Sequence, residues 1–215
     1  MGFKCGIVGL PNVGKSTLFN ALTKSSIPAE NFPFCTIEPN IGKVPLPDSR
    51  LVELNKIVNT KKIIPASLDL VDIAGLVKGA SQGEGLGNAF LSNIREMNAL
   101  AHVVRCFEDE NITHIDGSIN PVRDAEIINL ELILADLETV MKRLAKCEKL
   151  IKSNDKDSKL EHDLLLTIKN DLDAGNLINI SKFTDEEKII VKGFQLLSSK
   201  PTFYIANIAD NGSSN

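Results

Sequence analysis

The first half of the chain alternates short apolar runs with amphipathic stretches. Apolar runs at residues 3–8, 68–72 and 101–107 have the length of buried strands, and amphipathic stretches at 15–22 and 86–97 have the periodicity of helices. Strands separated by helices in this way are typical of a parallel sheet. We therefore expect an α/β fold, in which a parallel sheet carries helices on both faces.

The pattern changes near Pro121, and residues 122–200 contain no proline. From position 127 to 151, apolar residues recur at alternating steps of three and four, which predicts a long helix with a coiled-coil seam. The seam positions are Ile127, Leu130, Leu134, Leu137, Met141, Leu144 and Ile151. A polar turn at 153–158 and a second apolar stripe at 160–172 extend this prediction to an antiparallel helical hairpin.

A third helix and a last strand are predicted after the hairpin. Thr184 and Glu187 have the spacing of a capping box at the start of a helix. Residues 202–206 then form an apolar run of strand length. The helical segment is therefore expected to be an insertion between two strands of the α/β domain.

Charge and composition exclude several classes of function. The 215 residues include 24 Lys and Arg against 28 Asp and Glu, giving a net charge of −4, and there is no Trp. Without a basic excess or stacking aromatics, no DNA partner is expected. No apolar run reaches membrane-spanning length, and the four cysteines have no paired spacing. We expect a cytoplasmic protein without a membrane partner.

The segment 9–16 matches the pattern GxxxxGKS between an apolar strand and a helix. In this context, main-chain amides at the helix start bind phosphate, and Gly14 lets the backbone approach it closely. Lys15 is expected to place its charge at the outer phosphates and Ser16 to ligate Mg²⁺. The alternative is a glycine turn with a surface lysine. The expected nucleotide-binding residues here are Asn12, Val13, Gly14, Lys15, Ser16 and Thr17.

Two further segments supply residues for a metal ion and a terminal phosphate. Asp72 ends an apolar strand and begins DxxG, which after a phosphate loop places a carboxylate near the metal's water shell and Gly75 near the terminal phosphate. Thr36 lies between the two motifs, where nucleotide switches supply a second Mg²⁺ ligand. The expected metal site is Ser16, Thr36 and, through water, Asp72. Lys15 and Gly75 are candidate catalytic residues.

Residues 207–210 match the base-recognition motif NKxD without its lysine. Asn207 is expected to contact the Hoogsteen edge of a purine, and Ile208 offers an apolar face in place of the lysine stem. A carboxylate at Asp210 favours the N–H donors of guanine. The motif itself therefore leaves the choice between adenine and guanine open.

At this point the sequence resembles the Obg-like ATPase, or YchF, family of phosphate-loop NTPases. Residues 9–23, 31–40 and 72–80 and the glycine-rich stretch 83–88 carry the resemblance, which spans almost the whole chain. It implies a Ras-like nucleotide-binding domain with an inserted coiled-coil hairpin, followed by a C-terminal domain of the TGS type. It also implies a ribosome-associated ATPase.

The resemblance divides the chain into residues 1–122, the first part of the nucleotide-binding domain, 123–198, the helical insertion, and 199–215, the return to the nucleotide-binding domain. The chain is expected to end before the TGS domain. The loss of lysine at Ile208 matches the family's preference for ATP, whereas the family usually has Glu where this chain has Asp210. ATP is therefore the favoured nucleotide, and GTP remains open.

The implied reaction is in-line attack of water on the terminal phosphoryl group. Many GTPases orient this water with a glutamine, where this chain has Leu76, which has no polar atom in its side chain. Similar families bind K⁺ through an asparagine that matches Asn12, so K⁺ is a candidate cofactor beside Mg²⁺. His114 is a candidate for orienting the water or accepting its proton, with a surface-loop histidine as the alternative.

Two functions follow as hypotheses. The first is a Mg²⁺-dependent ATPase, with GTP as a second substrate, that acts as a ribosome-associated regulatory switch. The alternative is a nucleotide-gated ribosome-binding module or a GTP-preferring Obg-type GTPase, in which hydrolysis is incidental.

Overall fold

The computed structural model describes residues 2–24, 39–73, 86–109, 111–114, 117–151 and 156–209. The strands are β1 (Phe3–Val8), β2 (Asn40–Pro45), β3 (Ser67–Asp72), β4 (Ala99–Arg105) and β5 (Thr202–Asn207). The helices are α1 (Lys15–Thr23), α2 (Ser49–Val58), α3 (Leu86–Arg95), α4 (Pro121–Ile151), α5 (Lys156–Asp173) and α6 (Asp185–Gly193). Three residues of the expected site, Thr36, Gly75 and Asp210, lie outside the described residues.

The five strands form one sheet in the order β2-β3-β1-β4-β5. The predicted parallel arrangement is confirmed for β3, β1, β4 and β5. β2 instead runs antiparallel to β3, with Asn40 opposite Asp72, so the sheet is mixed. The chain enters β2 beside the C-terminal end of β3, and it therefore runs back down the edge of the sheet.

β4 lies inside the sheet and all seven of its residues are buried, so both of its faces are covered. α1 contacts β1, β2 and β3, and α4 contacts β4. Phe19 of α1 and Ile128 of α4 belong to the same apolar core. Because four strands are parallel, the residues at their C-terminal ends lie at one edge of the sheet. None of the helices in the described ranges has the length and apolar composition that a membrane span requires.

The predicted helical hairpin is formed by α4 and α5, which pack against each other and are joined by residues 152–155. Two packed helices with so short a connection are antiparallel. The predicted seam is wrong at three positions, because Leu130, Leu134 and Met141 are exposed. The first turns of α4 pack on the sheet through Ile128, Leu132 and Ala135, whereas later turns pack on α5 through Ile133, Val140, Leu144 and Cys147. The buried stripe therefore changes partner along the helix and does not follow one heptad seam.

The predicted capping box at the start of α6 is confirmed. The Thr184 hydroxyl accepts a hydrogen bond from the Glu187 main-chain N–H at 3.3 Å, and the Glu187 carboxylate accepts one from the Thr184 N–H at 2.8 Å. Two N–H groups that have no partner within the helix are thereby satisfied.

Asp136 joins α4 to the turn that precedes β5. Its fully buried carboxylate accepts hydrogen bonds from the Leu197 and Ser198 main-chain N–H groups, at 2.8 and 2.7 Å, and from the Ser198 hydroxyl at 2.7 Å. Burial raises the pKa of Asp136, and these hydrogen bonds act in the opposite direction. One side chain thus fixes the path by which the chain returns from the helices to the sheet.

We expect Asp136→Ala to lower the free energy of unfolding by about 3 kcal/mol, because it leaves two buried N–H groups and a hydroxyl without an acceptor. Urea denaturation measures this change. The control is Glu138→Ala on the exposed side of the same helix, which loses only a surface ion pair with Lys142 and should cost about 0.5 kcal/mol. Equal losses in the two variants would contradict this role of Asp136.

Candidate nucleotide-binding site

The loop between β1 and α1 has the conformation of a phosphate cradle. Gly9, Asn12 and Gly14 have φ angles of 152°, 62° and 97°. At Gly9 a Cβ would lie 2.4 Å from the main-chain oxygen of Val103, so only glycine fits there. Gly14 is the N-cap of α1 and makes no side-chain capping bond, so the first N–H groups of the helix remain available for an anion.

Lys15 is buried beneath this loop, with 7% of its surface exposed, so the alternative of a surface lysine is wrong. Its ammonium donates a hydrogen bond to the main-chain oxygen of Leu10 at 2.7 Å. Burial lowers the pKa of Lys15 to about 8, and the negative charge of Asp72 acts in the opposite direction. The loop therefore holds a desolvated positive charge beside the amides of the helix start, which is the environment that phosphate oxygens require.

Ser16 and Asp72 meet next to Lys15. The Ser16 hydroxyl donates a hydrogen bond to Asp72 Oδ2 at 2.8 Å. Asp72 Oδ1 is buried and has no hydrogen-bond partner within the described part of the chain. Burial raises the pKa of Asp72, opposed by the Ser16 hydrogen bond and the Lys15 charge. A hydroxyl oxygen and an unsatisfied carboxylate oxygen side by side are hard ligands of the kind that Mg²⁺ takes, directly or through water, so these residues fit the metal.

Asn207, at the end of β5, contacts the phosphate loop directly. Its side-chain nitrogen donates a hydrogen bond to the main-chain oxygen of Val13 at 2.9 Å. The same nitrogen would lie 2.4 Å from a Cβ at Gly14, which is a second reason for glycine at that position. Ile208 follows and is partly exposed. The first residue of the base motif is thus held against the loop that binds phosphate.

The segment after β4 also reaches the phosphate loop. The Asn12 side-chain nitrogen donates a hydrogen bond to the main-chain oxygen of Thr113 at 3.1 Å. The neighbouring His114 pairs through Nε2 with Asp124 Oδ2 of α4 at 2.9 Å, and 7% of the His114 side chain is exposed. The alternative of a surface-loop histidine therefore does not hold. The Asp124 carboxylate therefore holds His114, and the residue before His114, Thr113, contacts the phosphate loop.

Sequence analysis missed two residues of this region. Arg105 ends β4 and is fully buried, with its guanidinium bonded to three main-chain oxygens. Asp124 is buried and faces His114. The sequence carries one signal for Arg105, which is a charged residue at the end of an otherwise apolar strand. Such a residue stands out because a fully buried Arg is rare. For Asp124 the sequence carries no comparable signal, since an acidic residue in the first turn of a helix is common.

The parallel strands of the sheet end at a glycine loop, and a buried lysine and a serine–aspartate pair lie in the mouth of that loop. This arrangement defines a phosphate-loop nucleoside triphosphatase domain. Comparison with known families agrees: the model of the family described as 50S ribosome-binding GTPase matches residues 4–136. The chain belongs to this family.

The chain is also similar to proteins with more specific names. It is 54% identical, over its full length, to the ribosome-binding ATPase YchF of Escherichia coli O157:H7, and 52% identical, over 98% of its length, to that of Bacillus subtilis. A solved structure of the Schizosaccharomyces pombe YchF GTPase has a TM-score of 0.78, 39% identity and 98% coverage of this chain. The chain spans 59%, 58% and 57% of the lengths of these three proteins.

The buried charge of Lys15 predicts a dependence of stability on pH. The pKa of Lys15 is about 8 in the folded chain, below its ordinary value of 10.5, so between these values the unfolded chain binds more protons than the folded one. Stability contributed by this group therefore rises with pH across that window. We expect the difference in unfolding free energy, wild type minus Lys15→Met, to increase by about 2 to 3 kcal/mol from pH 8 to 10.5.

Urea unfolding of both proteins at several pH values measures this difference, in which the other titrating groups largely cancel. The control pair is wild type and Lys56→Met, since Lys56 is an exposed residue of α2. A difference for Lys15→Met that stays flat over this range would show that its ammonium is not desolvated.

Proposed function

We propose that the chain is the nucleotide-binding and catalytic part of a Mg²⁺-dependent ATPase that acts on the ribosome. The observation that carries this proposal is the buried ammonium of Lys15, which lies beside the Ser16–Asp72 pair in the mouth of the glycine loop. The names of the relatives from Escherichia coli and Bacillus subtilis support ATP as substrate and the ribosome as partner. We also propose a cytoplasmic location, which is supported by the proposed ribosomal partner.

The choice of ATP over GTP rests on the base motif. Ile208 stands where the guanine-binding motif has lysine, and its apolar side chain is partly exposed next to Asn207. The GTP alternative keeps support from Asp210 and from the name of the Schizosaccharomyces pombe relative, which is called a GTPase. We favour ATP because the more similar bacterial relatives carry that name.

In the proposed site, Ser16 and Thr36 would ligate Mg²⁺, and Asp72 would hold it through water. When bound, the metal neutralises charge on the β- and γ-phosphate oxygens. The chain's own residues do the rest: amides from Asn12 to Thr17 orient the phosphates, Lys15 stabilises the charge that develops on the transferred group, and the Gly75 amide contacts the terminal phosphate.

Water attacks the γ-phosphorus, a new P–O bond forms, and the bond to the bridging oxygen breaks to leave ADP. The proton of the water must go to a base. His114 is our candidate for orienting this water and accepting the proton, because Asp124 holds its ring through Nε2 one residue from the contact with the phosphate loop. Leu76 supplies no polar atom for this task.

K⁺ is the second proposed cofactor, with Asn12 as its ligand. The Asn12 side-chain nitrogen is bonded to the Thr113 oxygen. This leaves the amide oxygen of Asn12 as the atom that suits a cation. A monovalent cation there would add positive charge near the transferred phosphate.

We further propose the division into residues 1–122 and 199–215 for nucleotide binding and 123–198 as the arm that contacts the ribosome. The second candidate function, a nucleotide-gated binding module with incidental hydrolysis, is favoured by Leu76, because a site without a polar residue there turns over slowly unless a partner assists.

Phosphate release from ATP and GTP tests the proposed activity. We expect ATP hydrolysis that needs Mg²⁺, is faster in K⁺ than in Na⁺, and is stimulated by ribosomes. Lys15→Ala should lower turnover by about a hundredfold or more, whereas the exposed control Lys56→Ala should not change it. Nucleotide-dependent ribosome binding without turnover would favour the binding module, and equal rates in K⁺ and Na⁺ would remove the K⁺ site.

The role of His114 has its own test. We expect His114→Ala to lower turnover by about a hundredfold, as for loss of a general base, while ATP still binds. His162→Ala is the matched control, because His162 also lies beside a carboxylate, Asp163, but in α5. Turnover rates and nucleotide titrations of both variants measure these effects. An unchanged rate in His114→Ala would exclude His114 from the reaction.

A further inference from the structure

The guanidinium of Arg105 donates hydrogen bonds to three main-chain oxygens of one loop. Nε donates to the Phe107 oxygen at 3.0 Å, Nη1 to the Ile112 oxygen at 3.0 Å and Nη2 to the Asp109 oxygen at 3.1 Å. The guanidinium also lies over the Phe107 ring, 4.7 Å from its centre. Only 1% of the residue is exposed. Arg suits this arrangement because the N–H donors of its planar guanidinium can bond carbonyl oxygens in several directions at once.

This arrangement carries a cost that packing alone would not require. Within the described ranges, no carboxylate forms an ion pair with Arg105, and the groups there that compensate its buried charge are carbonyl dipoles and a ring face. Burying a charge without a counter-ion is unfavourable, and an apolar residue would fill the end of a buried strand at lower cost. The guanidinium therefore has a task that a neutral side chain would not perform.

The loop that Arg105 holds, described at residues 107–109 and 111–114, ends at the nucleotide site. Thr113 accepts the hydrogen bond from Asn12 of the phosphate loop, and His114 pairs with Asp124. The Ile112 oxygen, which is bound by Arg105, lies one residue before the first of these contacts and two before the second. A change in the path of the chain at 112 therefore moves both.

We propose that Arg105 is a positioning residue for hydrolysis: it sets the path of this loop so that His114 is presented to the phosphate loop. The proposal rests on the proposed ATPase function and deepens it. In this role Arg105 does not act on the substrate directly, and it acts through the position of His114.

The test compares Arg105→Lys with wild type. Lysine keeps the charge but cannot bond three carbonyls in one plane. We expect kcat to fall between about tenfold and a hundredfold, with the dissociation constant for ATP changed by less than about twofold, because the phosphate loop is retained. Main-chain amides at 111–114 should exchange with deuterium faster, while those of β4 should not. Unchanged kcat with unchanged exchange would overturn the proposal.

Arg143→Lys is the matched control. Arg143 also lies over a ring, that of Phe194 at 5.1 Å, and donates to a main-chain oxygen, that of Gly193, but in the helical hairpin. It should leave kcat unchanged. An equal fall in both variants would mean that loss of an arginine fork acts through general stability, and would contradict a specific role for Arg105.

Combination with His114→Ala separates action through His114 from other routes. If Arg105 acts by positioning His114, the double variant should be no slower than His114→Ala alone within about twofold, since coupled residues are not additive. Multiplicative losses would overturn the proposal. Absence of turnover in the wild-type protein would instead contradict the proposed function. Deuterium exchange of the amides at 111–114 in Arg105→Lys would then decide by itself whether Arg105 sets the path of the loop.

Phe107→Leu covers the case in which Arg105→Lys fails to fold. It removes the ring face and leaves the three hydrogen bonds, so kcat should fall by about threefold to thirtyfold, which is the range of a cation–π contact from exposed to desolvated sites. Loop exchange should rise in the same variant. A folded Phe107→Leu protein with wild-type kcat and exchange would then overturn the proposal.

Discussion

The site depends on a positive charge that the fold has removed from water. The ammonium of Lys15 lies beneath the phosphate loop with one main-chain oxygen as its hydrogen-bond acceptor and the Asp72 carboxylate nearby. Burial disfavours the charged form of both side chains, and their mutual attraction opposes this effect. Phosphate oxygens would add negative charge beside Lys15, and a cation would add positive charge beside Asp72. The charged groups that such a ligand needs are therefore already in position in the fold.

The fold concentrates this site at one edge of the sheet. Val8, Asp72, Arg105 and Asn207 are the last residues of four parallel strands, and each leads into or contacts the nucleotide region. Asn207 is bonded to the main chain of the phosphate loop, and Asn12 of that loop is bonded to the segment after Arg105. The loop is thus held from both sides by strands distant in sequence. Its strained φ angles persist because these neighbours fix them.

Local patterns in the sequence predicted what depends on neighbours along the chain. The GxxxxGKS segment, the strand before it and the capping box at Thr184 are short strings with defined geometry, and the structure has each of these elements. The seam of α4 was predicted incorrectly because the helix packs first on the sheet and then on α5, which periodicity cannot reveal. The antiparallel course of β2 and the partners of Arg105 and His114 likewise follow from tertiary contacts. A buried polar residue acquires its meaning only from the groups that surround it.

Asp136 has a mechanical consequence. It is the central residue of the 31-residue helix α4, about 22 Å from either end at the rise of an α-helix. The turns before it pack on the sheet and the turns after it pack on α5, so the helix is clamped over its first half. This first half carries Asp124, whose carboxylate is hydrogen-bonded to the imidazole of His114. Bending of the outer half is therefore taken up beyond Asp136, and the turn that bears Asp124 keeps its place beside the phosphate loop.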